Sequence, residues 1–216
     1  MREVFHEQLD SVFDDLVDIC RLVRTALQRS TAALLEGDPA LAEQVISADA
    51  EIDRARERVE EKAFALLSLQ APVAGDLRLV VAALRMVTEL ERMGDLSVHV
   101  AKVARLRAPH VAVPEAMRPT LTRMAEVAED MVTQVIQIIA ERDVEAARSL
   151  ARDDEEMDLL RRSSFVTLLA DDWEHGVEAA IDIALLGRYY ERIADHAVSV
   201  AKRVIFVVTG RTVLAD

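Results

Sequence analysis

Glu91-Arg92-Met93-Gly94-Asp95 recurs one hundred residues later as Glu191-Arg192-Ile193-Ala194-Asp195, and the reading of this pair decides the fold. The match continues downstream, where Val98, Val100, Ala101 and Lys102 return as Val198, Val200, Ala201 and Lys202. Upstream, Asp49-Ala50-Glu51-Ile52-Asp53 corresponds to Asp154-Glu155-Glu156-Met157-Asp158 at a shift of 105. Further back only apolar positions correspond, for example Leu16 with Leu121 and Ile19 with Met124. A length difference in one loop reconciles the two shifts. The chain therefore reads as one unit copied twice.

Turn signals divide each copy in the same way. Glu36-Gly37-Asp38-Pro39 closes one periodic segment and opens another, with Asp38 as N-cap and Pro39 in the first helical position. Further breaks fall at Ala71 to Asp76, at Ala108 to Pro114, at Glu141-Arg142-Asp143 and at Asp171 to Gly176. Six segments lie between them, each with apolar residues at helical spacing; Phe5, Leu9, Val12, Phe13, Leu16, Ile19, Val23 and Leu27 form one such stripe. The expected fold is all-α: two tandem three-helix bundles related by a pseudo-twofold, over residues 1–110 and 111–216.

Composition agrees and narrows the function. Of 216 residues 51% are apolar, while only 6 are glycine and 5 proline, too few to punctuate many short strands. The net charge of −13 argues against nucleic acid, whose binding depends on Lys and Arg neutralising phosphates. The single cysteine, Cys20, excludes an internal disulfide and a Cys-rich zinc site, and its apolar neighbours Leu16, Ile19 and Val23 suggest a core thiol. The charged N-terminus and the short apolar run Val204 to Val208 predict neither a signal peptide nor a membrane span. A soluble, cytoplasmic protein is the expectation.

The repeated unit carries carboxylates where packing would favour apolar groups. Leu77, Leu84, Glu91 and Val98 form a seven-residue seam, as do Val177, Ala184, Glu191, Val198 and Ile205. Asp95 and Asp195 follow one turn on, about 40° round the helix. Asp49 and Asp53 flank the seam of the preceding helix in the first copy, and Asp154 and Asp158 do so in the second. A carboxylate drawn out of water is costly unless paired or coordinated. Three explanations stand: neutralisation by Arg56, Arg92, Arg161 or Arg192, a wet seam, or a hard cation on an all-oxygen site such as Mg²⁺, Ca²⁺, Mn²⁺ or iron. A di-iron carboxylate enzyme needs Glu-x-x-His on two helices, and Gly94 and Ala194 stand where those histidines would be. His99 and His196 read as structural or solvated, and Trp173, Tyr189 and Tyr190 as packing residues. No phosphate-binding loop, nucleophile elbow or HExxH occurs.

The stretch from Gln70-Ala71-Pro72-Val73-Ala74-Gly75-Asp76-Leu77-Arg78 to Glu91-Arg92-Met93-Gly94-Asp95, with its second copy, resembles the PhoU family along essentially the whole chain. That resemblance implies a cytoplasmic negative regulator of phosphate uptake and of the phosphate-starvation response. It would be an adaptor between the ATPase subunit of a phosphate ABC transporter and a membrane sensor histidine kinase, peripheral to the membrane through these partners and homodimeric. It implies no enzyme. It implies metal on Glu91 and Asp95 and on Glu191 and Asp195, with the pairs Asp49 and Asp53, Asp154 and Asp158 at the matching upstream positions; Mg, Mn, Fe and Zn are the candidate ions. Asp76, Arg78, Arg92 and Arg192 belong to the same motifs, and Arg78 has no basic counterpart because Glu178 stands there. The competing readings are a metal-dependent phosphohydrolase and a metal-binding or arginine-paired helical scaffold.

Overall fold

The computed structural model describes residues 2–150 and 155–211, and their side chains except at 2–4, 69 and 70. The first copy is three long helices, α1 (Arg2–Glu36), α2 (Pro39–Gln70) and α3 (Gly75–Arg107). After a single 3₁₀ turn at Glu115–Met117 the second copy begins with α4 (Arg118–Glu141). Its middle segment is described as two helices, α5 (Val144–Leu150) and α6 (Glu155–Leu168), on either side of residues 151–154; α7 (Gly176–Thr209) completes the bundle. There is no strand among the described residues.

Local chemistry sets the helix ends. Gly37 takes φ +67°, and the Asp38 N–H reaches back to the Ala33 carbonyl at 3.0 Å, which closes α1. Asp38 then accepts hydrogen bonds from the N–H groups of Ala40 and Leu41 and starts α2. Asp143 caps α5 in the same manner, accepting from Glu145 and Ala146.

The copies meet through two antiparallel helix pairs. Along α1 and α4, Asp10 meets Arg142, Cys20 meets the Val132 carbonyl, and Gln28 meets Glu129. Along α3 and α7, Arg78 at the start of α3 donates to the Val207 carbonyl, while Arg107 at its end holds Glu178 and Asp182. Each of these four helices thus runs against its own counterpart, as a twofold relation requires, while α2 packs on α1 and α3 within its own copy. One continuous apolar core crosses this junction. Cys20 is fully buried in it, and burial pushes its thiol up to about 12.

The seven-residue seams need correcting. Val98, Val198 and Ile205 are buried, but Leu84 and Ala184 are half-buried and Leu77 and Val177 are exposed. A helix of 3.6 residues per turn drifts about 20° per heptad, so a strict seven-residue line walks off the core. The buried line of α3 instead includes Val80, Ala83, Val87, Leu90, Met93, Ser97 and Val100.

Candidate functional site: two unequal acidic clusters

In the first copy Gly94 brings the acidic residues together. A Cβ there would lie 2.9 Å from Ile52 Cδ1, so α2 and α3 approach closely at this level. Ile52 sits between Asp49 and Asp53, and Gly94 between Glu91 and Asp95. The close approach therefore sets the two acidic pairs beside one another. Asp49 and Glu91 are half-buried; Asp53 and Asp95 are exposed. Partial removal from water, reinforced by Asp95 and Asp53, raises the proton affinity of both Asp49 and Glu91. No ion pair within 4 Å reaches any of the four among the described residues. Arg56 eases the charge on Glu91 from a distance, but its guanidinium is hydrogen-bonded to Glu60 at 3.3 Å.

The second copy resolves the same problem with arginine. Glu191 is buried, accepting from Arg161 Nη1 at 2.9 Å and from Arg188. Two substitutions account for the difference. The counterpart of Glu60 is Phe165, and Arg161 lies over that ring at 5.5 Å, which leaves its Nη1 free to reach Glu191. The other arginine, Arg188, has Thr88 as its counterpart. Asp195 is raised by shielding from water and by Glu191. Asp158 is exposed, and Asp154 lies outside the described residues.

Among the described residues no three His, Cys, Asp or Glu side chains converge to hold a metal ion. The first cluster fits a cation in charge, having four carboxylates and no paired arginine, while its side chains stand apart as they are. The second does not fit, since two guanidinium groups already occupy Glu191.

Of the other motif residues, Arg78 alone reaches across the junction between copies. Arg78 lies over the end of α7: its Nε donates to the Val207 carbonyl at 3.2 Å, and its Nη1 is 2.7 Å from where a Cβ of Gly210 would stand. Glu178, its counterpart by number, is paired with Arg107 instead. Asp76 lies 3.7 Å from His6 Nε2. Arg92 sits near Glu89 and Glu91, and Arg192 near Asp195, each favouring the charged form of its neighbour without a hydrogen bond among the described residues. His99 stacks on Tyr189 across the junction, 5.4 Å between centroids.

Sequence reading missed three arrangements. Arg188 was legible, as an Arg-x-x-Glu pair on one helix face absent from the first copy. The Arg107 clamp on Asp182 and Glu178 joins residues more than seventy apart, and nothing local announces it. His196 is structural as expected, but through Glu89, whose Oε2 lies 2.6 Å from Nδ1. That hydrogen bond holds Glu89 below the usual carboxylate range.

The raised carboxylates give a signed prediction. A folded-state value above the unfolded one contributes stability below the unfolded pKa, lost as pH rises through the folded value. At pH 7 the charged forms of Asp49 and Glu91 therefore weigh against folding. Asp49→Asn and Glu91→Gln should each raise stability at pH 7 by about 0.5 kcal/mol after solvent screening, and the gain should shrink through the carboxylate range and vanish by about pH 3. Thermal melts at the two pH values check this; destabilisation at pH 7 would contradict it.

Comparison with known proteins agrees with this architecture. A family model described as "PhoU domain" matches the chain twice, over residues 16–104 and 121–204. The "Phosphate-specific transport system accessory protein PhoU homolog 2" of Mycobacterium tuberculosis is 47% identical over 210 residues, covering 97% of this chain and 99% of that protein. The "PhoU homolog 1" of Mycobacterium leprae is also 47% identical, covering 97% and 95%. Among solved structures, PhoU from Pseudomonas aeruginosa superposes with a TM-score of 0.89 at 27% identity, over 96% of this chain and all of that one. The regulatory protein PhoU from Streptococcus pneumoniae has the same fold, with a TM-score of 0.88 at 23% identity. A repeat matched twice, relatives alike over nearly the whole length and a shared fold lead to one conclusion: this chain belongs to the PhoU domain family.

Proposed function

We propose that this chain is a regulatory accessory protein of a phosphate-specific transport system. It acts without catalysis as an adaptor between the transporter's ATPase subunit and a sensor histidine kinase, and restrains the phosphate-starvation response when phosphate is plentiful. The observation that carries the reading is likeness at 47% identity, over 97% of the chain, to proteins named as accessories of that system. The fold adds support: no helix of the described residues is long and apolar enough to cross a membrane, so association with a transporter would run through protein contacts. In this reading the protein is cytoplasmic, peripheral to the membrane and dimeric.

The first copy's cluster supplies the cation-responsive part. Asp49, Asp53, Glu91 and Asp95 would hold a hydrated divalent ion such as Mg²⁺ or Mn²⁺, which keeps several of its waters and needs no tight cage. The second copy, neutralised by Arg161 and Arg188, takes none. Fe and Zn are weaker fits, Zn because the four carboxylates offer only oxygen and the nearby His99 is stacked on Tyr189.

Two measurements test the proposal. Deleting the gene should switch on a phosphate-starvation reporter at high phosphate, and reintroduction should silence it; an unresponsive reporter would refute the regulatory role. Mn²⁺ should raise the melting temperature of the wild type and of Glu191→Gln. It should have no effect on the triple variant Asp49→Asn, Glu91→Gln, Asp95→Asn. Equal response in the triple variant would remove the cation from the first cluster.

A further inference from the structure

The end of the molecule built from α3, α6 and α7 carries apolar side chains that the fold does not cover. Val166 and Leu169 on and just after α6, Val177, Ile181 and Leu185 on α7, and Leu106 at the end of α3 are between 42% and 81% exposed. Val177, Ile181 and Leu185 recur every fourth residue, so they form one stripe along α7. Leu106 lies at the same end of the molecule, beside Arg107, which grips Asp182.

The duplication provides an internal control for what the fold itself requires. The first copy has Glu61 where the second has Val166, and Arg85 where it has Leu185; both of those charged residues are exposed. Val81, the counterpart of Ile181, is half-buried. Leu77 and Phe64, the counterparts of Val177 and Leu169, are exposed and apolar like them. Charge is therefore tolerated at Val166 and Leu185, and the apolar choice at those two places in the second copy serves something other than its own core. The hairpin that presents the stripe is held in shape: Trp173 Nε1 donates to the Gly176 carbonyl at 2.8 Å, and the Trp173 ring meets that of His175 edge-on.

Charge selects the occupant. Asp171, Asp172 and Glu174 rim the stripe, exposed and without an ion pair among the described residues. A second copy would bring the same carboxylates against them, and an anionic bilayer would be repelled. A helix with one apolar face and Lys or Arg along its flank satisfies both the stripe and the rim, in the manner of helix-in-groove recognition. We propose that the α6–α7 hairpin docks a basic amphipathic helix of a partner protein. The proposal rests on the adaptor reading above for the existence of such a partner.

The test uses the full chain and a synthetic, amidated 18-residue peptide with Leu at helical a and d spacing and Lys flanking it. The wild type should bind the labelled peptide saturably, and should not bind its counterpart with Glu in place of Lys. Ile181→Glu and Leu185→Arg, the latter the residue of the first copy, should each weaken binding about tenfold or more, with unchanged circular dichroism because both sites are exposed. Leu77→Glu, at the opposite end, should have no effect. Neutralising Asp171, Asp172 and Glu174 together should weaken binding and flatten its salt dependence. Binding that survives Leu185→Arg, or strengthens in Ile181→Glu as general attraction to a −13 chain would, overturns the proposal. So does preferential binding of anionic vesicles, or a dimer that Ile181→Glu dissociates. Peptide binding without any effect of gene deletion on the starvation reporter would refute the adaptor reading while leaving the surface intact, and the reverse result would do the opposite.

Discussion

Replacing Tyr190 by Ala should cost about 4 kcal/mol, the largest effect of any single substitution considered for this protein. Tyr190 is fully buried on α7, and its hydroxyl lies 3.0 Å from Thr31 Oγ1 on α1, a residue of the other copy. Truncation removes a ring from the core at the junction and leaves the Thr31 hydroxyl without that partner. Tyr190→Phe isolates the polar part and should cost only about 1 kcal/mol. Cys20 offers a readout besides denaturant melts. Its buried thiol, with a pKa pushed up to about 12, is inert near neutral pH until the core opens. Alkylation should therefore be slow in the wild type, slightly faster in Tyr190→Phe and much faster in Tyr190→Ala. Equal alkylation rates in all three would mean that Tyr190 does not tie the copies together.

Arg161→Ala should be next in size, at about 2 kcal/mol. Glu191 is buried between Arg161 and Arg188, and removing one partner leaves its charge half compensated in a place that water scarcely reaches. The counterpart change Arg56→Ala should do far less, because Arg56 is turned to the half-exposed Glu60 and has no hydrogen bond to Glu91. Chemical denaturation of the two variants side by side checks the contrast. Similar losses would show that the copies handle Glu91 and Glu191 alike, and would undo the distinction on which cation binding by the first copy alone depends. A further consequence concerns Arg161→Ala with Arg188→Ala: freed of both guanidinium groups, the second cluster should gain a Mn²⁺ response in the melting temperature.

The expectation that Arg56, Arg92, Arg161 or Arg192 neutralises the acidic clusters was met at one position only. Arg161 does so; Arg56 is diverted, and Arg92 and Arg192 act at a distance. The reason is geometric. Whether an arginine reaches a glutamate depends on what competes for its guanidinium: Glu60 does so in one copy, whereas the Phe165 ring at that place in the other leaves Nη1 free. A pattern search treats Arg56 and Arg161 as equivalent, whereas packing separates them.

The sequence by itself determined the helices, their ends and the duplication, because these depend on neighbours a few residues away: periodic apolar residues, the Asp38 cap before Pro39, the Gly37 turn and the two Glu-Arg-x-x-Asp elements. It also singled out Asp49, Asp53, Glu91 and Asp95, which the fold sets beside one another. Only the tertiary structure decided that one cluster is left without arginine and the other is neutralised, and that Arg78, Arg107 and His196 join the copies across seventy residues or more. It alone separated the exposed stripe of α7 from the buried one. Those outcomes depend on which helix lies against which, and at what angle. Such distances arise from the packing of all the helices together, and no local spacing in the chain encodes them.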